Sequence, residues 1–210
     1  MCKVFWLKPN KLFVTGKFFA LLICYVVLQP ILVCASSANN CKELLPQNIT
    51  CYQQVSSHAQ NRLAAFRQLL ATNQNQLPDE KLQAVNLFFN QFSYLKDERY
   101  EGVTDYWKTP AEFIVDGAGD SEDFAMAKYF TLRALSIPTK TLRIAYVKSL
   151  DHNQSHMVLA YYSTPFTEPL ILDNLLNTIL PASKRDDITP VYSFDGERLW
   201  LAKHRGHVII

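Results

Sequence analysis

No cysteine follows Cys51, and no acidic residue precedes Glu43, in this chain of 210 residues. The first absence removes the thiol nucleophile from most of the sequence. Neither Cys41 nor Cys51 has a neighbouring His or acid of the kind that activates a thiol. Glycine is scarce, at 6 residues, and no P-loop or dinucleotide fingerprint occurs, so the common nucleotide-binding designs are excluded. Repeats and low-complexity tracts are missing as well. Charge of one sign is also lacking: 21 Lys+Arg against 19 Asp+Glu give +2, too small a surplus for a strongly basic nucleic-acid binder. What is present is a globular composition, 49% hydrophobic and 19% charged, with length for one ordinary domain.

The missing acids at the front have a second meaning. Lys3, Lys8, Lys11 and Lys17 precede an uncharged stretch from Phe18 to Asn40, the pattern of a secretory leader. Its apolar part, Phe18–Cys34, is interrupted by Gln29-Pro30 and is short for a membrane span of about 20 residues. Cleavage is expected near residues 35–38, the alternative being an uncleaved anchor. Residues 1–35 are thus read as signal peptide, 36–56 as an N-terminal arm and 57–210 as the folded domain. Without the leader the chain has 17 basic and 19 acidic side chains, so its charge becomes about −2. Cys41 and Cys51 then have two outcomes open to them, a disulfide closing a small loop in an oxidising compartment or two free thiols.

Helical periodicity covers Ser57 to Asn73, with Leu63, Phe66, Leu69 and Leu70 on one face. A second helix opens at Pro78 and carries Leu82, Val85, Phe89 and Phe92. Thr109-Pro-Ala-Glu112 is a capping box for a short helix that ends before Gly117. Gly117-Ala-Gly119 reads as a flexible break. Asp120–Asp123 leads a further helix that Ile137-Pro138 ends. Period-two alternation follows, predicting strands at Leu142–Val147, His156–Tyr162 and Leu170–Asp173, then a hairpin of Tyr192–Phe194 and Leu199–Leu201. Helices first and an antiparallel sheet second define an α+β fold.

Three polar residues fall at chemically useful places. Ser121 lies at a helix start, where unpaired N–H groups and the helix dipole favour developing negative charge. His156 opens one strand and Asp173 closes the next. If those strands pair antiparallel, imidazole and carboxylate meet at one end of the sheet, and a helix start packed over that end completes nucleophile, base and orienting acid. Each residue also has an ordinary role: Ser121 or Asp120 as a helix cap, His156 as a hydrogen-bonded strand residue, Asp173 as a cap for Asn174–Leu180. Tyr100, Tyr106 and Trp107 are either groove-lining or packing aromatics, and His204 and His207 are too loosely placed for a metal site.

The segments Tyr106-Trp-Lys-Thr-Pro-Ala-Glu112, Gly119-Asp-Ser-Glu-Asp-Phe-Ala125 with Lys128-Tyr129, Leu142-Arg143 with Tyr146-Val147, His156-Met-Val-Leu-Ala-Tyr161 and Leu172-Asp-Asn174 resemble the bacterial transglutaminase-like cysteine proteinases of the periplasmic LapG type. The resemblance spans roughly Leu63–Trp200. It implies a papain/transglutaminase-like core with N-terminal helices packed on an antiparallel sheet, and a triad at Ser121, His156 and Asp173. It further implies a periplasmic endopeptidase that cleaves a large biofilm adhesin near its N-terminus at an Ala-Ala site. An inner-membrane cyclic-di-GMP receptor of the LapD type would be its partner. One departure is chemical: the family pattern is Gly-Asp-Cys-Glu-Asp, and this chain has Ser121. A hydroxyl is far less acidic than a thiol, so slow or absent turnover is expected. A substrate-trapping substitution, an inactive binding paralogue and a serine enzyme all fit, although Asp123 occupies the last glycine position of a lipase-type Gly-x-Ser-x-Gly elbow. A smaller departure is Ser136, where relatives often have Gly, which is expected to affect a turn.

Acidity concentrates beside residue 121. Nine acids against Arg99 and Lys108 give −7 between Asp97 and Asp123. Such a run is either a solvated face or a hard-cation site with oxygen ligands. By the resemblance the cation is calcium, held by Asp120 and Glu122 with Asp123 as a third candidate.

Overall fold

The computed structural model describes residues 56–95 and 106–202. The leader, Cys41 and Cys51, the acids from Asp97 to Asp105, Tyr100, and the tail with His204 and His207 lie outside them. Helix α1, Ser57–Asn73, starts under a Ser56 hydroxyl that accepts the Ala59 N–H. It buries Ala59, Leu63 and Phe66. Helix α2, Pro78–Phe89, has Pro at its first position and Asp79 and Glu80 in its first turn, where carboxylates suit the dipole. Phe92, expected inside α2, falls beyond its end and still packs against Phe113 with ring centroids 5.2 Å apart. Phe66, Phe88, Phe89, Phe113 and Phe124 extend this aromatic cluster.

Helix α3, Pro110–Asp116, forms on the capping box: Thr109 Oγ1 accepts the Glu112 N–H, and Glu112 Oε2 accepts the Thr109 N–H at 2.9 Å. It ends at Gly117, whose φ of 70° is a left-handed conformation natural to glycine. Arg62 of α1 donates to the terminal carbonyls of Ile114 and Val115, so any side chain at residue 117 would strike the guanidinium. The expected free break at 117–119 is instead paired. Strand β1, Ser93–Tyr94, runs parallel to β2, Ala118–Gly119. That pairing fixes the entry to helix α4, Ser121–Ala134.

The main sheet is antiparallel throughout, in the order β6-β5-β4-β3-β7-β8. Its strands are β3 Leu142–Ser149, β4 Gln154–Tyr161, β5 Leu170–Leu172, β6 Leu180–Pro181, β7 Ile188–Phe194 and β8 Leu199–Leu201. The expected strands are all present, with β4 starting two residues earlier and β5 stopping one short of Asp173. Alternation divides the side chains between faces. Leu142, Ile144, Met157, Leu159, Tyr161 and Leu172 join the helices in the larger core, while Ala145, Val147, Val158, Ala160, Ile171 and Ile188 form a second cluster. This is the α+β arrangement of helices on an antiparallel sheet.

Helix α4 closes in a Schellman motif, with Ile137 N–H on Leu132 O and Ser136 N–H on Arg133 O. Ser136 takes the left-handed position, at φ 67°. A side chain there is strained, so Ser136→Gly is expected to stabilise the fold by up to about 1 kcal/mol, checked by urea denaturation.

Candidate active site

The β4–β5 register pairs Leu159 with Leu172, so the start of β4 lies beside the chain leaving β5. The expected meeting takes place there: His156 Nε2 and Asp173 Oδ1 are 2.8 Å apart. Both side chains are buried. With Nε2–H donated to the carboxylate, Nδ1 is the basic nitrogen of the neutral ring. Asp173 Oδ1 also accepts the Leu175 N–H at 3.0 Å, so the local turn role and the His-orienting role coexist in one side chain.

Helix α4 brings residue 121 to the same place. Asp120, not Ser121, is the N-cap, with its side chain accepting the Asp123 N–H. Ser121 is the first helical residue, so its backbone N–H has no acceptor within the helix. Ser121 and His156 line one cavity of about 320 Å³ with Tyr94, Asp120, Glu122, Tyr146, Gln154, Ser155 and Met157. The Ser121 hydroxyl is turned to Glu122, donating to Oε2 at 2.7 Å. Helix start, imidazole and carboxylate are therefore assembled as expected, while the hydroxyl itself is held by an acid.

The three acids after Gly119 separate into two roles. Asp123 is turned inward and buried, taking the N–H groups of Lys108 (2.7 Å) and Asp120 (3.3 Å), with Lys108 Nζ at 4.0 Å. Gly119 is required for this packing, because a Cβ there would collide with the Asp123 carboxylate. Asp123, the third metal candidate, braces the loop through these contacts. Asp120 and Glu122 face the cavity. Tyr94 lines the same cavity, and its phenol is pushed up by burial and further by the charges of Asp120 and Glu122. Two hard oxygen donors on one wall suit calcium, which takes 6–8 oxygens including carbonyls and water. Among the described residues, no group of three or more His, Cys, Asp and Glu side chains could hold a metal.

Sequence reasoning missed the support beneath Asp173. Arg185 Nη2 donates to Asp173 Oδ2 at 2.6 Å. Burial acts to raise the Asp173 pKa, but the His156, Leu175 and Arg185 hydrogen bonds outweigh it and hold the carboxyl well below the usual range. From the helix side, Asn90 Nδ2 donates to the Asp173 carbonyl at 2.8 Å, and Asn86 Nδ2 donates to the Asn177 carbonyl at 3.1 Å. Lys128 Nζ then donates to Asn86 Oδ1 at 2.8 Å. Burial lowers the Lys128 pKa to about 7, with Asp173 pulling the other way. A signal for these residues existed: Asn86 follows Leu82 by four residues, and Lys128 lies between Phe124 and Leu132, each on an apolar stripe.

An α+β fold that sets a helix-start residue and a strand His in one cleft, with an Asp just past the end of the neighbouring strand bonded to that His, defines the papain/transglutaminase-like class of cysteine peptidases. The comparisons narrow the class. Residues 34–188 match the family model of the bacterial transglutaminase-like cysteine proteinases, and the chain belongs to that family. Calcium-bound LapG of Legionella pneumophila is 48% identical, with 80% of this chain and 93% of that chain covered and a TM-score of 0.70. Another structure of the same LapG is 49% identical over 74% of this chain and 86% of that one, and its EGTA-treated form is 49% identical over 75% and 85%, each with a TM-score of 0.68. Comparison with curated proteins gave no match.

Proposed function

We propose that the chain carries the site of an exported, calcium-dependent endopeptidase of the LapG type, acting in the periplasm on a large biofilm adhesin near its N-terminus. The observation that carries the reading is the cavity holding residue 121 and His156, with Asp173 bonded to the imidazole behind it. In this mechanism the side chain at 121 attacks the scissile carbonyl, His156 takes its proton and returns it to the leaving amine, and Asp173 holds the ring. Backbone N–H groups at the start of α4 stabilise the oxyanion. With Ser121 in place the cycle is slow, because the hydroxyl resists deprotonation and is already bonded to Glu122.

That same bond favours a second reading, a catalytically silent protein that holds the adhesin, or a LapD-type cyclic-di-GMP receptor, through the same cleft. Measuring binding and cleavage of an adhesin N-terminal fragment side by side separates the two. Turnover supports the peptidase, and tight binding without turnover in the native gene product supports the silent paralogue.

Calcium is part of the proposal, since the LapG that is 48% identical to this chain was solved with calcium bound. Asp120 and Glu122 would hold it, supplying charge neutralisation and a fixed loop beside residue 121. Calcium at 100 times its dissociation constant is expected to stabilise the protein by about 2.7 kcal/mol, and EGTA to reverse the gain. Asp120→Asn keeps the helix cap, since Asn caps as well as Asp, and is expected to lose the calcium response. A melting temperature indifferent to calcium would remove Asp120 and Glu122 as ligands.

A further inference from the structure

Arg185 is the charged residue closest to the triad acid that the mechanism leaves without a task. It sits just after a short 3-10 turn, Ala182–Lys184, that precedes β7. Its fork is divided between two carboxylates. Nε donates to Asp187 Oδ1 at 2.7 Å, while Nη2 donates to Asp187 Oδ2 at 2.7 Å and to Asp173 Oδ2 at 2.6 Å. The side chain is 2% exposed, and Nη1 has no hydrogen-bond partner among the described residues. A buried guanidinium with an unsatisfied donor costs stability that an apolar residue of similar size would not. Its presence is better explained by what it does to Asp173.

We propose that Arg185 is a positioning residue for the triad. By holding Asp173 Oδ2, it fixes which oxygen faces His156 and sets how much of the carboxylate's negative charge the imidazole experiences. Asp187 tempers that effect, because it draws part of the guanidinium's charge toward the surface; its own side chain is 39% exposed. The inference rests on reading His156 and Asp173 as base and orienting acid. Other charges act on the pair as well. Lys128 interacts with Asp173 from the α4 side, and Asp120, Glu122, Tyr94 and Tyr146 surround the cavity that His156 lines.

The electrostatics give opposite signs for two substitutions. Removing the cation in Arg185→Gln exposes His156 to the full Asp173 charge, which favours the imidazolium, so the ring is expected to keep its proton to higher pH. Removing the anion in Asp187→Asn leaves the guanidinium charge less compensated, so the ring is expected to lose its proton at lower pH. The experiment is an NMR titration of the His156 ring in the whole protein with Ser121 in place. A midpoint raised by roughly half a unit or more in Arg185→Gln and lowered in Asp187→Asn is the expected result, with Arg185→Lys returning close to the parent. Unmoved midpoints, or both moving in the same direction, would overturn the proposal. If Arg185→Gln does not fold, Asp187→Asn decides alone: a downward shift upholds the proposal and no shift ends it. Titration needs no turnover, so a protein that cleaves nothing would defeat the peptidase reading and leave this test standing.

Discussion

Ser121→Cys is expected to raise cleavage of an adhesin N-terminal fragment, with calcium present, by roughly 100- to 10,000-fold over the unsubstituted chain. The reason lies in the acidity of the attacking group. A thiol can lose its proton to an adjacent imidazole before attack, forming a thiolate–imidazolium pair that the start of a helix further stabilises. A serine hydroxyl must be deprotonated during attack, and here it also has to break its 2.7 Å bond to Glu122. Sulfur is a weak hydrogen-bond donor, so the substitution loosens the hold of Glu122 as it supplies the better nucleophile. The comparison is made on kcat/KM for one fragment. Cleavage by the Ser form with an inert Cys form would mean a serine enzyme on a cysteine-proteinase fold.

In the Ser121→Cys background, His156→Ala and Asp173→Asn are each expected to lower kcat by roughly 1,000-fold or more. The two should not multiply, because base and orienting acid act as one unit. Asp173→Asn carries a second consequence that activity does not report. Its carboxylate is fully buried between His156 and Arg185, and removing one partner of a buried charged group costs about 3–5 kcal/mol. The folded carboxyl titrates below its ordinary value of 3.8. Its stabilisation is thus complete above that pH and is lost as pH falls below it toward the folded value. Urea denaturation should accordingly show a large deficit for Asp173→Asn at pH 6 that shrinks at pH 2.

The elements were legible where one physical signal dominated. Thr109-Pro-Ala-Glu112 announces its helix because cap, proline and acid agree, and the period-two run from Leu142 leaves little choice but a strand. His156 and Asp173 were legible because adjacent antiparallel strands bring the start of one beside the end of the next. What escaped was set by tertiary contact. The β1–β2 pairing involves two residues on each side and leaves no periodic trace. The inward turn of Asp123 depends on the Lys108 backbone 15 residues away and on the missing side chain of Gly119. Arg185 looks like a surface residue in the run Lys184-Arg-Asp-Asp187, and only the closing of the sheet buries it against Asp173. Ser136 was legible as a turn position, and its left-handed φ supplies the reason.

The most direct test of the assembled site is the alkylation rate of the cysteine in Ser121→Cys as a function of pH, mapped to residue 121 by mass spectrometry and repeated in the His156→Ala background. With residue 121 and His156 sharing one cleft, alkylation should remain fast well below the ordinary thiol pKa of about 8.5, and His156→Ala should remove that low-pH reactivity. A rate that follows an ordinary thiol titration, unchanged by His156→Ala, would contradict a joint catalytic site.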